Sequence, residues 1–315
     1  MSNIVIIQAR TNSSRLPGKV LLPIKSLPIV VLASKRASNT GRKVLVITSN
    51  DKTDDVLSSE LEKHNIDYYR GSLENVLYRF ISSVEGLSDS TIVFRLTADN
   101  VFPDGDLLDE LEKEFISHKL KYLNCNGYKS GLPYGVSVEL MRLECLREAN
   151  RNTSSLYDLE HVTPYIKNKY GENFYSKYKD LNKGSYRATI DNFSDYVKIS
   201  EVFESINNPI DVPWKVLVEK LIDIDSDVIT SSPLDKLILG GVQFGLDYGI
   251  NNSSGKPTFK QVKKIVSQAV ANGVKYIDTA RDYGDSEEVL GKVLNSKLKI
   301  NCNVITKCCI LFIRK

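Results

Sequence analysis

Histidine, methionine and tryptophan are scarce in this chain of 315 residues, at three, two and one. No histidine stands at zinc spacing from a cysteine, and Cys125, Cys145, Cys302, Cys308 and Cys309 include no Cys-x-x-Cys pair. Neither a metal framework nor a disulfide scaffold is indicated, and a reducing cytoplasm suits the free thiols. No apolar run reaches the length of a membrane span, and a strand-like segment starts at Asn3 with no basic-then-apolar leader, so a soluble cytoplasmic protein without a membrane partner is expected. The glycine fingerprint of dinucleotide sites and the Walker A lysine loop are both absent. With 42 Lys and Arg against 39 Asp and Glu, the net charge of +3 is too small to indicate a nucleic-acid partner. Any basic site must be local. A hydrophobic content of 42% and a charged content of 26% describe an ordinary globular protein, long enough for two domains.

Against these absences stands the N-terminal run Ile4-Val5-Ile6-Ile7-Gln8-Ala9-Arg10-Thr11-Asn12-Ser13-Ser14-Arg15-Leu16-Pro17-Gly18-Lys19. Its Val/Ile half has the length and β-branching of a strand buried on both faces, as in a parallel sheet. Loops at the carboxyl ends of such strands bind ligands. Arg10, Arg15 and Lys19 place cationic donors in this loop, and Ser13, Ser14, Gly18 and the backbone N–H groups can close around phosphate oxygens. A polyphosphate site is the reading.

Gln-Ala-Arg, a short spacer and Arg-Leu-Pro-Gly-Lys together resemble the signature of the cytidylyltransferases that activate sugar acids, most closely the spore coat polysaccharide biosynthesis branch and, beyond it, the synthetases of CMP-deoxyoctulosonate and CMP-acylneuraminate. The resemblance implies CTP and a sugar acid as substrates, Mg²⁺ as cofactor and a homodimer. It also implies that Gln8, Ala9, Arg10, Ser14, Arg15, Lys19, Arg70, Ser72 and Thr97 contact the nucleotide, with Arg10, Lys19, Asp99 and Asp191 catalytic.

Strand-like runs recur at 3–9, 43–49, 91–97, 121–125, 135–141 and 186–190, alternating with helix-like segments at 28–38, 53–64, 73–84, 106–118, 155–170 and 194–206. This predicts an α/β domain, Rossmann-like with a mostly parallel sheet, over residues 1–232. Gly127 and Gly131 flank a polar turn and predict a hairpin-like excursion; in the resembling family such an excursion contributes to the dimer interface. Arg95-Leu96-Thr97-Ala98-Asp99 and Thr189-Ile190-Asp191 each end a strand-like run with a carboxylate. Carboxylates at one edge of a sheet can share Mg²⁺ with substrate phosphates, and the family pattern puts metal ligands at Asp99 and Asp191. An aspartate there can instead cap the following helix.

Arg70-Gly71-Ser72 resembles the family's turn beside the base and sugar, with Ser72 also a candidate helix cap. Glu139 and His161 fall in segments that face the acceptor in the family, while Pro164 predicts a break in the helix around it. The chain departs from the family at Asn100, Val101, Tyr134, Ser137, Leu159 and Phe193. These departures keep open an inactive nucleotide-binding protein beside the transferase.

A polar stretch at 223–236 reads as a linker, and a second βα pattern fills 236–315. There Gly241-Val242-Gln243-Phe244-Gly245, Asp278-Thr279-Ala280, Tyr283-Gly284, Ser286-Glu287 and Lys307 resemble the start of an aldo/keto reductase. The resemblance implies a vestigial catalytic group of Asp278, Tyr283 and Lys307. About three strands of an eight-stranded (β/α) barrel are present, so the fragment is expected to be incomplete, to lack a whole site for NADP and to give no reductase activity. The tail from Cys308 onward departs from that family, and a truncated or frame-shifted fusion is the expectation.

Overall fold

The computed structural model describes residues 2–227, 237–249, 252, 254–295 and 302–307. They fall into two compact units, divided between Ser226 and Asp227. The expected linker boundary at 232–236 and the tail from Cys308 lie outside the described residues.

The first unit is built on β1 (Asn3–Gln8), the short hairpin of β2 (Pro23–Ile24) and β3 (Leu27–Pro28), β4 (Val44–Ser49), β5 (Tyr68–Gly71), β6 (Ile92–Thr97), β7 (Tyr122–Asn124) and β8 (Glu139–Arg142). Its helices are α1 (Ile29–Ala37), α2 (Asp55–Lys63), α3 (Val76–Ser82), α4 (Gly105–Ser117), α5 (Leu143–Asn152), α6 (Leu156–His161), α7 (Pro164–Tyr170), α8 (Phe193–Glu204) and α9 (Trp214–Asp227). Among the described residues the main sheet has six strands in the order β5-β4-β1-β6-β8-β7. The first four are mutually parallel, and β8 runs antiparallel to both β6 and β7.

The alternation in β1 explains the layers. Val5 and Ile7 pack with α1, α2, α4, α8 and α9 on one face, and Ile6 packs with α3, α5 and α7 on the other. A strand apolar at every position is thereby buried on both sides. The chain moves outward from β1 to β4 and β5, then crosses back to β6 on the other side of β1. This reversal opens a crevice at the carboxyl ends of β1 and β6, where open α/β sheets bind ligands.

Several local expectations change. The run at 186–190 is no strand: one bridge joins Arg187 to Tyr134, and the segment crosses rather than pairs. Its neighbour Gly135 has φ +105°, and a Cβ there would lie 2.5 Å from Thr189 N, a crossing too close for a side chain. The same φ takes the chain out of extended geometry, so the strand expected at 135–141 forms only as β8, from Glu139. The helix expected at 155–170 breaks into α6 and α7 around Val162, φ +72°, and Pro164. Strand β5 and helices α5 and α9 were not expected, although Leu143, Leu146 and Ala149 of α5 and Trp214, Leu217, Val218 and Leu221 of α9 recur at helical spacing and are buried; α5 follows β8 directly and has no side-chain cap.

The second unit holds β9 (Ile238–Gly240), α10 (Val242–Gly245), α11 (Phe259–Ala271), β10 (Tyr276–Asp278), α12 (Ser286–Leu294) and β11 (Asn303–Ile305). Its described strands form a parallel sheet in the order β11-β10-β9. Thr258 and Gln261 close a capping box on α11. Helical side chains cover Ile277, whereas Ile238, Tyr276 and Ile305 stay exposed. No helix among the described residues is long and apolar enough to cross a membrane.

Candidate active site

Ala9 follows β1 and donates its N–H to Ile47 O of β4, at 3.1 Å. The chain then turns on Thr11, whose carbonyl accepts from Ser13 N at 2.9 Å and Gly18 N at 2.8 Å. Gly18 adopts the left-handed region, φ +69°, and opens the single turn Lys19–Leu21. That turn sends the Lys19 side chain inward, where it is 10% exposed, while Arg10, Ser14 and Arg15 remain on the surface.

Asp54 anchors this loop, a role the sequence did not reveal. One of its oxygens accepts from Thr11 N and Thr11 Oγ1, both at 2.7 Å; the other accepts from Thr48 Oγ1, Ser49 N and Ser49 Oγ. Burial opposes its ionisation, but the hydrogen bonds from Ser49 and Thr11 hold its carboxyl below the usual range. Asp54→Asn turns an acceptor into a donor that faces donors. We expect it to cost about 2–4 kcal/mol of stability. Urea unfolding checks this; an unchanged unfolding midpoint would show that the loop holds its shape without the carboxylate.

Two loops bring the predicted carboxylates to Lys19. Past the end of β6, Asp99 accepts from Thr97 Oγ1 at 2.6 Å through one oxygen and from Lys19 Nζ at 2.6 Å through the other. Ile190 N donates to Asp99 O at 3.0 Å, which draws the 186–190 segment alongside. Lys19 Nζ also reaches Ile190 O at 2.7 Å and Asp191 Oδ1 at 3.2 Å. Arg15 pairs with Asp191 Oδ1 at 2.8 Å, and Arg187 with Asp191 Oδ2 at 3.2 Å. Neither carboxylate caps a helix: Asp104 caps α4, and Asn192 with Asp195 forms the capping box of α8.

A cavity of about 300 Å³ opens beside this cluster. Arg15, Thr97, Asp99 and Asp191 line one side of it, and Arg95, Glu139 and Lys167 also contribute. Glu139 is 9% exposed and is held by Arg95, Tyr122, Thr163 and Lys167. Burial opposes its charge, but Arg95 and Lys167, helped by Tyr122, bring its carboxyl down to about 2. Gln8 Oε1 accepts from Arg95 Nη2 at 3.3 Å.

Other predicted contacts lie elsewhere. Arg70 is committed to Ser49 O, Asp51 O and Asp55. Ser72 is not the cap of α3; Asn75 is, accepting from Tyr78 N at 2.8 Å, while Ser72 Oγ accepts from Asn75 N. His161 ends α6 on the surface, its ring 4.3 Å from that of Tyr157, and does not line the cavity. Sequence reasoning passed over Arg95, although an arginine amid Ile92-Val93-Phe94 and Leu96 is an anomaly in a buried strand. Arg187 was also missed, four residues ahead of the Asp191 it pairs with.

Residues 4–214 match the cytidylyltransferase family. The chain belongs to that family. It is 34% identical over 241 residues to the Bacillus subtilis spore coat polysaccharide biosynthesis protein SpsF, an alignment covering 73% of this chain and 98% of that protein. A shorter stretch of 107 residues is 35% identical to the 3-deoxy-manno-octulosonate cytidylyltransferase of Colwellia psychrerythraea, covering 32% of this chain and 36% of that one. A solved cytidylyltransferase from Leptospira borgpetersenii shares the fold, with a TM-score of 0.66 at 23% identity over 73% of this chain and 98% of its own. The crevice, the basic loop and the paired aspartates are thus features of a cytidylyltransferase domain.

Residues 236–313 match the aldo/keto reductase family. In that unit Lys307 Nζ lies 2.7 Å from Asp278 Oδ1 and 3.3 Å from Tyr283 OH. Hydrogen bonds to Asp278 and Tyr283 raise the Lys307 pKa. The group implied by resemblance is assembled, on the exposed end of a three-stranded sheet.

Proposed function

We propose that the first unit transfers CMP from CTP to a sugar acid and releases pyrophosphate. The observation that carries this reading is the convergence of Lys19 with Asp99 and Asp191 at the crevice between β1 and β6. Nucleotidyl transfer needs charge neutralisation and alignment of the phosphates more than covalent help. Arg10, Arg15 and Lys19 supply cations for the β and γ phosphates. The acceptor hydroxyl, seated in the adjoining cavity, attacks the α-phosphorus in line with the departing pyrophosphate.

The donor set suits Mg²⁺. Asp99 Oδ2 and Asp191 Oδ1 both lie within 3.2 Å of one point, now held by the Lys19 ammonium. Among the described residues no cluster of three or more His, Cys, Asp or Glu side chains could hold a metal alone. Mg²⁺ commonly takes one or two carboxylates and completes its shell with phosphates and water. Asp99 and Asp191 would hold the ion, which when bound neutralises phosphate charge. Lys19 must then leave at least one carboxylate and turn to the nucleotide.

Support for a sugar-acid acceptor comes from the name of the Colwellia relative, and support for a role in polysaccharide biosynthesis from that of the Bacillus relative. The test is pyrophosphate release from each of the four nucleoside triphosphates with Mg²⁺ and either 3-deoxy-manno-octulosonate or N-acetylneuraminate. CTP should be preferred by at least about 100-fold, equivalent to roughly 2.7 kcal/mol. Lys19→Ala should mainly weaken CTP binding. No release with any triphosphate, or equal release with all of them, would overturn the reading.

A further inference from the structure

Asp191 meets three cations, and its two oxygens meet them differently. Arg15 and Lys19 share Oδ1, at 2.8 Å and 3.2 Å, and both belong to the basic loop after β1. Arg187 donates to Oδ2 at 3.2 Å, and among the described residues that oxygen has no other hydrogen-bond partner. Asp191 lines the cavity and Arg187 does not. Arg187 can therefore act on the site only through the groups it holds.

Arg187 is itself fixed from two sides. Asp195, buried in the first turn of α8, accepts from Arg187 Nη2 at 3.2 Å and from Nε at 3.4 Å. The same Asp195 Oδ2 accepts from Asp191 N at 2.9 Å. Backbone and side chain of Asp191 are thereby tied to one carboxylate, the first directly and the second through the guanidinium. The Tyr134 ring covers Arg187, its centroid 5.4 Å from Cζ. Tyr134 N to Tyr186 O at 2.8 Å and Ala188 N to Tyr134 O at 2.6 Å bind the two segments together. One cation between two aspartates also relieves their repulsion, and a lysine would serve that need as well. Only the planar fork adds direction. The last torsion of an aspartate is broad, so a carboxylate held at one oxygen keeps an orientation that a free one loses.

Granting the CMP transfer proposed above, we propose that Arg187 is the positioning residue of Asp191, holding Oδ2 so that Oδ1 is reserved for Mg²⁺ and the reacting phosphates. When those phosphates draw Arg15 and Lys19 from Asp191, Arg187 is the contact that remains, because it lies on the opposite oxygen and is anchored by Asp195 and Tyr134. The order of the segment follows from this: Arg187 and Asp195 stand four residues before and after the carboxylate they orient.

The experiment uses the full chain with CTP, Mg²⁺ and 3-deoxy-manno-octulosonate. Arg187→Gln should lower kcat about 30-fold and leave the KM for CTP within about twofold, because a misplaced reacting group costs up to about 100-fold while the basic loop is untouched. Arg187→Lys should return the urea midpoint to that of the wild type yet stay about 10-fold low in kcat, since it restores the charge without the fork. Because Arg187 acts through Asp191, adding Arg187→Gln to Asp191→Asn should cost less than about twofold more. Wild-type kcat in Arg187→Gln or Arg187→Lys, a rise in the CTP KM instead, or additive losses in the double variant would make Arg187 a plain counter-charge and overturn the assignment. If the wild-type protein transfers no CMP, the parent reading fails. Paramagnetic resonance of Mn²⁺, titrated with CTP present, then decides the role of Arg187 alone. An affinity about 10-fold lower in Arg187→Gln than in the wild type, and still lower than wild type in Arg187→Lys, upholds it; equal affinity, or no bound Mn²⁺, overturns it.

Discussion

Asparagine in place of Asp99 should slow pyrophosphate release by about 10³-fold, a loss of roughly 4 kcal/mol of transition-state stabilisation. The substitution keeps size and shape, so the fold should survive with its melting temperature within a few degrees. Thr97 Oγ1 can still donate to the remaining oxygen, and Lys19 keeps Asp191 and Ile190 O as partners. What disappears is the negative charge just past the end of β6, in the cavity that Arg15 and Asp191 also line. Comparing kcat with thermal unfolding separates the two effects. Turnover within tenfold of wild type would sink the assignment of Asp99 to the reacting phosphates; a collapsed fold would make it a structural residue.

The contrast between Asp99 and Asp54 shows how far residue type alone can be read. Both follow apolar strands at the carboxyl edge of the sheet, and both accept from threonine. Asp54 is 1% exposed and filled by the donors of Thr11, Thr48 and Ser49, so it shapes the loop from beneath. Asp99 keeps a more open face and shares Lys19 with Asp191. The motif Gln8 to Lys19 marked the turn from β1 into a basic loop, because a buried strand followed by cations needs only local sequence to be recognised. The buttress beneath it comes from 43 residues away, and no local pattern announces it.

The same distinction applies to the fold. Strands β1, β4 and β6 were legible because each is apolar enough to be buried in a parallel sheet. Strand β5, Tyr68-Tyr69-Arg70-Gly71, is half-buried at an edge and reads as a polar loop. The segment 186–190 reads as a strand because Ala188 and Ile190 are buried, yet burial comes from crossing Gly135 rather than from a ladder. Its carbonyl at Ile190 goes to Lys19, which a paired strand would not leave available. Hydrophobic pattern reports burial, and backbone pairing has to be inferred separately.

Removing the side chain of Glu139 should be the most destabilising single change in the cavity. Glu139→Ala leaves Arg95 and Lys167 half-buried without their shared counter-ion, and breaking such a cluster typically costs about 3–5 kcal/mol. Tyr122 and Thr163 lose their acceptor as well. Acid should reproduce part of this in the wild type. The Glu139 carboxyl is held at about 2, against an ordinary value of 4.5, so its contribution is fully present above pH 4.5 and is lost as pH falls toward 2. Between pH 4.5 and pH 3 the loss should approach roughly 2 kcal/mol. Glu110 is likewise held at about 2 by Tyr178, Lys177 and Tyr175 despite burial, so total stability will fall for more than one reason. The stability difference between wild type and Glu139→Gln isolates Glu139, because every other carboxyl is common to both. Urea unfolding of the two proteins at pH 6 and pH 3 should show that difference shrinking; a constant difference would mean that Glu139 is not ionised against its cations in the folded protein.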